Sequence, residues 1–209
     1  MERREALKNI GVGSAALFAS TALFGSLTSC SPTAERTDWD PEYLNSVQAA
    51  HLEKICEAIF PRTSTPGATD AGVANHIDQA LNNIYRLQEA ENFVKGLNIF
   101  VAQYNAHQKP RFAGASTAEV TDVINGYFKT FEEDESKMKA FGEAMRNPEA
   151  AMPDDVALTF FVTGVVEFTK WSYFTSELVG ETVMRYDPVP GAYDGCIPYE
   201  PGQKDWASV

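Results

Sequence analysis

The sequence predicts an all-α protein, and three observations carry that reading. From Leu52 onward, apolar residues recur at intervals of three and four, the period of one helix face. Helix-start chemistry punctuates the chain, most clearly in Ser116-Thr-Ala-Glu119, a capping-box pattern. No stretch alternates with period two over a useful length, and no hairpin signal separates strand-like runs.

The elements follow in order. Leu52, Ile55, Cys56 and Ile59 mark a first helix over 45–60, with Asn45 or Ser46 as its cap and Pro61 as its stop. Residues 61–72 are dense in turn formers and read as an ordered loop. Val73, Ile77, Leu81 and Ile84 give a second stripe. Phe93, Val94, Leu97, Phe100, Val101 and Tyr104 give a third, ended before Lys109-Pro110. The capping box opens a fourth helix through Val120, Val123, Ile124, Tyr127 and Phe128. Glu132 to Glu135 reads as a solvated acidic turn that places negative charge at the start of a short fifth helix marked by Met138, Phe141 and Met145. Pro153 suits the first turn of the most apolar segment, predicted to run to about Leu178. Its apolar residues lie on every side, which predicts a central buried helix. Within it Glu167 and Lys170 stand one turn apart, the spacing of a structural ion pair.

The two termini differ from this body. Residues 186–209 carry Pro188, Pro190, Pro198 and Pro201 with Gly191, Gly195 and Gly202, which excludes a helix. Tyr186, Tyr193, Ile197, Tyr199 and Trp206 are interleaved, so this stiff strip is expected to lie along a surface, its own body's or a partner's. At the other end, Arg3-Arg4 with Leu7-Lys8 resembles a twin-arginine (Tat) export motif. An uncharged run from Ile10 to Leu27 follows, diluted by glycine and hydroxyl residues below what a spanning helix needs. Leu27-Thr-Ser-Cys30 resembles a bacterial lipobox, with Cys30 as the lipidated residue. The expected organisation is a Tat-type lipoprotein signal at 1–29, a lipidated tether at 30–44, a helical domain at 45–185 and a docking tail at 186–209. The expected location is the periplasmic face of a bacterial membrane.

Composition narrows the function. Seventeen basic residues stand against 29 acidic, a net charge of −12. Such a chain repels phosphate backbones and anionic lipid surfaces, which argues against nucleic acid and leaves membrane contact to the lipid alone. His51, His76 and His107 fall in different elements without metal-ligand spacing, so no metal is expected. There is no haem-attachment motif, phosphate loop or nucleophile elbow, so no catalytic residue is assigned. Gly11-x-Gly13-x-x-Ala16 matches a dinucleotide fingerprint as a string, but it sits inside the signal with no strand before it. Cys56 and Cys196 are open to pairing with each other, to pairing with another chain, or to remaining thiols.

Two blocks carry a family resemblance. The first is Ile59-Phe60-Pro61-Arg-Thr-Ser-Thr-Pro66-Gly67-Ala68 with Asp70-Ala71-Gly72-Val73. The second is Tyr173-Phe174-Thr175-Ser176-Glu177, followed by Tyr186-Asp187-Pro188-Val189-Pro190-Gly191-Ala192-Tyr193-Asp194-Gly195-Cys196-Ile197-Pro198. With the Tat-type start, they resemble the gluconate 2-dehydrogenase subunit 3 family, small subunits of periplasmic flavin-dependent sugar and sugar-acid dehydrogenases. The resemblance implies a non-catalytic chain that escorts a large subunit of the glucose-methanol-choline type through the Tat pore and stays bound to it. No cofactor is then expected here; FAD belongs to the large subunit, and electrons pass to a c-type cytochrome or another acceptor. The lipobox departs from the simplest family pattern and adds an anchoring role. Partner contacts are expected from Pro61, Pro66 and Gly67 in the loop, and from Tyr186, Pro188, Pro190, Gly191, Tyr193, Cys196, Pro198 and Trp206 in the tail. Cys196 is a candidate for a disulfide to the large subunit or to Cys56. A solute-binding or structural lipoprotein and a stand-alone enzyme using Glu167 and Lys170 are the alternatives.

Overall fold

The computed structural model describes residues 37–186, 191, 196, 198 and 200–206. Among them lie seven α-helices and a single 3₁₀ turn, with no strand beyond one isolated bridge. The helices are α1 (Ser46–Ile59), α2 (Val73–Asn83), α3 (Leu87–His107), α4 (Thr117–Glu132), α5 (Glu135–Ala144), α6 (Asp154–Phe174) and α7 (Glu177–Thr182). The 3₁₀ turn, Phe112–Gly114, joins α3 to α4.

The starts obey side-chain chemistry that the sequence makes visible. Asn45 accepts from the amides of Val47 and Gln48 while Gln48 reaches back to the Asn45 amide, a complete capping box. Ser116 and Glu119 make the same reciprocal pair at α4. Asp134, inside the acidic run, caps α5 by accepting from the amides of Ser136 and Lys137.

The two 21-residue helices, α3 and α6, make the largest contact in the fold. Gly96 permits their close approach. A Cβ there would overlap the Ala157 carbonyl oxygen and Phe161 Cβ, so even a methyl group would push the backbones apart. Phe93 meets the Phe161 ring edge-on at 5.0 Å, and Leu97, Val162 and Val165 are sealed around them. Helix α1 closes this core with Leu52 and Ile55, and α2 with Ile77 and Leu81, all at most 2% exposed. Each such side chain contributes roughly 1.5–3 kcal/mol by leaving water.

Two buried polar residues tie loops to this body. Asp78 on α2 is fully buried, and its carboxylate accepts from the amides of Glu42 (2.6 Å), Tyr43 (3.2 Å) and Leu44 (2.8 Å). Residues 42–44, assigned to the tether from sequence, are thereby fixed to the helical body. Asn92 on α3 donates to the carbonyls of Pro148 and Ala150 and accepts from the Met152 amide, shaping the entry to α6.

One expectation changes here. The apolar segment from Pro153 does not continue as one helix to Leu178. It stops at Phe174, and Ser176 starts α7 by accepting from the Val179 amide. Nor is α6 buried on every side: Glu167, Lys170, Trp171 and Phe174 are exposed. No helix of the described residues is long and apolar enough to cross a membrane.

Candidate partner-docking surface

The loop at 61–72 is organised by three charged side chains. Glu57, in the last turn of α1, accepts from the amides of Arg62 (2.8 Å) and Thr69 (2.9 Å). Arg62 grips Asp70 through both guanidinium arms, and Asp70 also accepts from the Gly67 amide at 2.9 Å. The Ala68 amide returns to the Phe60 carbonyl, which closes the loop at its base. Gly67 lies buried against this network. A Cβ there would collide with the Glu57 carboxylate and stand 2.8 Å from the Arg62 nitrogen. Gly72 adopts φ +65°, a left-handed conformation that glycine takes without strain, and turns the chain into α2.

The end of α6 is fastened to this loop. The Tyr173 hydroxyl donates to the Pro66 carbonyl at 2.7 Å, and the Tyr173 ring stacks flat on Phe60 at 4.4 Å. Phe174 meets the same Phe60 ring edge-on at 5.5 Å. Two segments about 110 residues apart in sequence therefore form one unit, and neighbouring rings extend it: His76 lies under Trp171, with Phe168 beside it. Trp171 remains 53% exposed, Phe174 41% and Leu178 at the start of α7 37%.

The far end of the tail returns to the end of the body. The Arg185 amide donates to the Asp205 carbonyl, Arg185 and Trp206 form a parallel bridge, and the guanidinium lies 4.1 Å from the Trp206 ring centre. Lys204 donates to the Thr182 carbonyl, the last residue of α7. Trp206 and Tyr186 still show more than a third of their surface.

The expected contact residues separate by burial. Pro61 is exposed and Pro66 half-buried, whereas Gly67 is buried and acts by shaping the loop. Gly191, Cys196 and Pro198 are exposed. Pro188, Pro190 and Tyr193 lie outside the described residues, as do Arg3, Arg4, Leu7, Lys8 and Cys30. Trp171, Phe174 and Leu178 were missed as surface residues because apolar composition alone reads them as core. Their signal was positional: Glu167 and Lys170 lie on the same last turns of the helix, so that end meets water.

Cys56 is a free thiol in the core, 1% exposed, so the bridge between Cys56 and Cys196 is not made. Thr169 donates to its sulfur at 3.4 Å, and burial pushes the thiol pKa up to about 12. Glu167 and Lys170 form an ion pair at 2.9 Å with both side chains largely in solvent, a surface pair rather than a buried acid–base couple. Among the described residues no three His, Cys, Asp or Glu side chains are placed to hold a metal ion. A shallow groove of about 560 Å³ runs past Tyr43, Gln48, Lys95, Asn98 and Asp154, but its polar groups already bond one another: Lys95 pairs with Asp154 and Gln48 with Asn98.

The family model for gluconate 2-dehydrogenase subunit 3 matches residues 46–191. The chain belongs to the gluconate 2-dehydrogenase subunit 3 family. No curated protein and no solved structure matches it. Members of this family are, by its description, subunits, so the chain is an accessory part of a dehydrogenase complex. The matched span contains the 61–72 loop, its Tyr173 fastening and the exposed ring cluster. It ends before Cys196, Pro198 and Trp206.

Proposed function

We propose that this subunit escorts, anchors and steadies a large FAD-dependent dehydrogenase subunit of the glucose-methanol-choline type. In this reading the Arg3-Arg4 signal sends the pair through the Tat pathway together. Lipid on Cys30 then holds the complex at the periplasmic face of the membrane. The flavin and the oxidation chemistry belong to the large subunit, which passes electrons to a c-type cytochrome or another acceptor. The 61–72 loop and the 186–209 tail supply the contacts.

The observation that supports this most is the fastening of Pro66 by Tyr173. A loop braced by Glu57, Arg62, Asp70 and a distant tyrosine presents a preformed surface, and a preformed surface loses little entropy when a partner docks. Membership of a family of dehydrogenase subunits supports a multi-subunit dehydrogenase as the setting.

The test is isolation of the lipoprotein from its native membrane in detergent. Stoichiometric recovery of a flavin-containing dehydrogenase chain is expected. Replacing Cys30 with Ser should release the complex into the soluble periplasmic fraction, and replacing Arg3 and Arg4 with Lys should hold both chains in the cytoplasm. Recovery of the lipoprotein alone, with the dehydrogenase exported normally in its absence, contradicts the proposal.

A further inference from the structure

We infer that the ridge formed by Trp171, Phe174 and Leu178 is the principal seat of the complex's catalytic subunit, and that the partner meets it with an apolar pocket rimmed by basic side chains. The inference rests on the proposed function and adds the surface and the chemistry of its complement.

The three residues follow one another at intervals of three and four from α6 into α7, yet each stays more than a third exposed. Their rings are prearranged. Trp171 is set by His76 at 5.1 Å and Phe168 at 5.8 Å, and Phe174 by Phe60 at 5.5 Å and Tyr173 at 5.4 Å. Rigid, half-exposed tryptophan and phenylalanine side chains bring large apolar area at small entropic cost, the character of the few residues that dominate an interface. The ridge is continuous with the braced loop through Phe60, so both present to one partner.

Charge selects the occupant. Exposed Glu167, Glu177 and Glu181 flank the ridge; of the basic groups nearby, Lys170 is paired with Glu167, Lys204 donates to the Thr182 carbonyl and Arg185 lies over the Trp206 ring. A second copy of this chain, with a net charge of −12, would set like charges against that rim, as would an anionic lipid surface. The described end of the tail is seated on Arg185 and on the last turn of α7 at Thr182, and leaves Trp171, Phe174 and Leu178 more than a third exposed. The remaining candidate is another subunit of the complex, with basic residues facing the acidic rim.

The experiment uses the full-length lipoprotein, purified in detergent with its flavin-containing dehydrogenase chain. The Trp171→Ala/Phe174→Ala double variant should retain at most a tenth of that chain, and Leu178→Glu should lose it to a similar degree. The control is Met138→Ala/Met145→Ala, on α5 and at its C-terminal cap, similarly exposed apolar residues, which should retain it fully. Raising salt should weaken recovery of the wild type, as a charged rim requires. If the wild type carries no flavin-containing chain, the proposed function itself fails. If it does and both ridge variants retain the chain, the ridge assignment fails while that function stands. Equal loss in the α5 control, or a wild-type dimer that the ridge variants break, also overturns the assignment. Should the double variant lose its cooperative melting transition, Leu178→Glu, on a separate short helix, decides the matter.

Discussion

The two ends of α6 carry similar residues and meet opposite fates. Near its start, Val156, Ala157, Leu158, Phe161 and Val162 are enclosed by α3 and α5. Near its end, Trp171 and Phe174 are as apolar, but their ring neighbours are His76 on α2 and Phe60 at the end of α1, and both stay more than a third exposed. Apolar composition does not by itself say where a side chain goes. What decides it is whether a neighbouring element covers that turn.

The contrast is sharpest in two truncations. Phe161→Ala should cost about 3–5 kcal/mol, because the ring is fully buried between Phe93 and Phe100 and leaves a cavity. Trp171→Ala should cost the isolated subunit about 1 kcal/mol or less, the scale of a surface change. Thermal melting of both variants measures the difference, and equal losses would mean that the two ends are not distinct.

A smaller effect is expected where the exposed end is fastened. Tyr173→Phe keeps the stack on Phe60 but removes the hydrogen bond to Pro66, at about 1 kcal/mol. It should also raise amide exchange across 61–72, while the start of α6 exchanges as before. Unchanged exchange in the loop would show that the hydroxyl does not brace it.

The start of α4 adds a pH dependence. There Thr121 donates to the carbonyl of Ala58, just before the loop. Hydrogen bonds from the Ser116 amide and hydroxyl hold the Glu119 pKa below its ordinary value. A lowered folded-state pKa means that stability is present above the ordinary glutamate range and disappears as pH falls through the folded value. The melting gap between wild type and Glu119→Gln should therefore be open at neutral pH and close on acidification. A gap that persists in acid would assign the effect to something other than the carboxylate.

The smallest effect belongs to the pair on the exposed flank of α6. Replacing Glu167 with Gln or Lys170 with Met should shift stability by about 0.5 kcal/mol or less, since both groups are solvated. A large loss in melting temperature would place the pair in the core after all.

Much of the fold was legible because its signals are local. The Asn45 and Ser116 caps, the Asp134 cap within the acidic run, and the three-and-four spacing of Leu52, Ile55 and Ile59 act within a turn or two of themselves. The 61–72 loop was recognisable from its prolines, glycines and threonines. Its bracing was not, because Tyr173 and Pro66 meet only through the packing of α6 beside α1. The stop at Phe174 hid for a related reason. Ser176 is a competent cap, but an unbroken run of aromatic residues conceals it. Gly96 gave no warning either, since it is the distant Ala157 carbonyl and Phe161 Cβ on α6 that make a glycine necessary there.

The most direct test of the account is hydrogen exchange of the subunit alone and in its purified complex with the flavin-containing chain. The amides of 61–72 and 171–178 should slow together on assembly, while α5, at the enclosed end of α6, should exchange as it does in the isolated subunit. Protection centred on α5, with 171–178 unchanged, would contradict the claim that the exposed end of α6 is where this subunit is held.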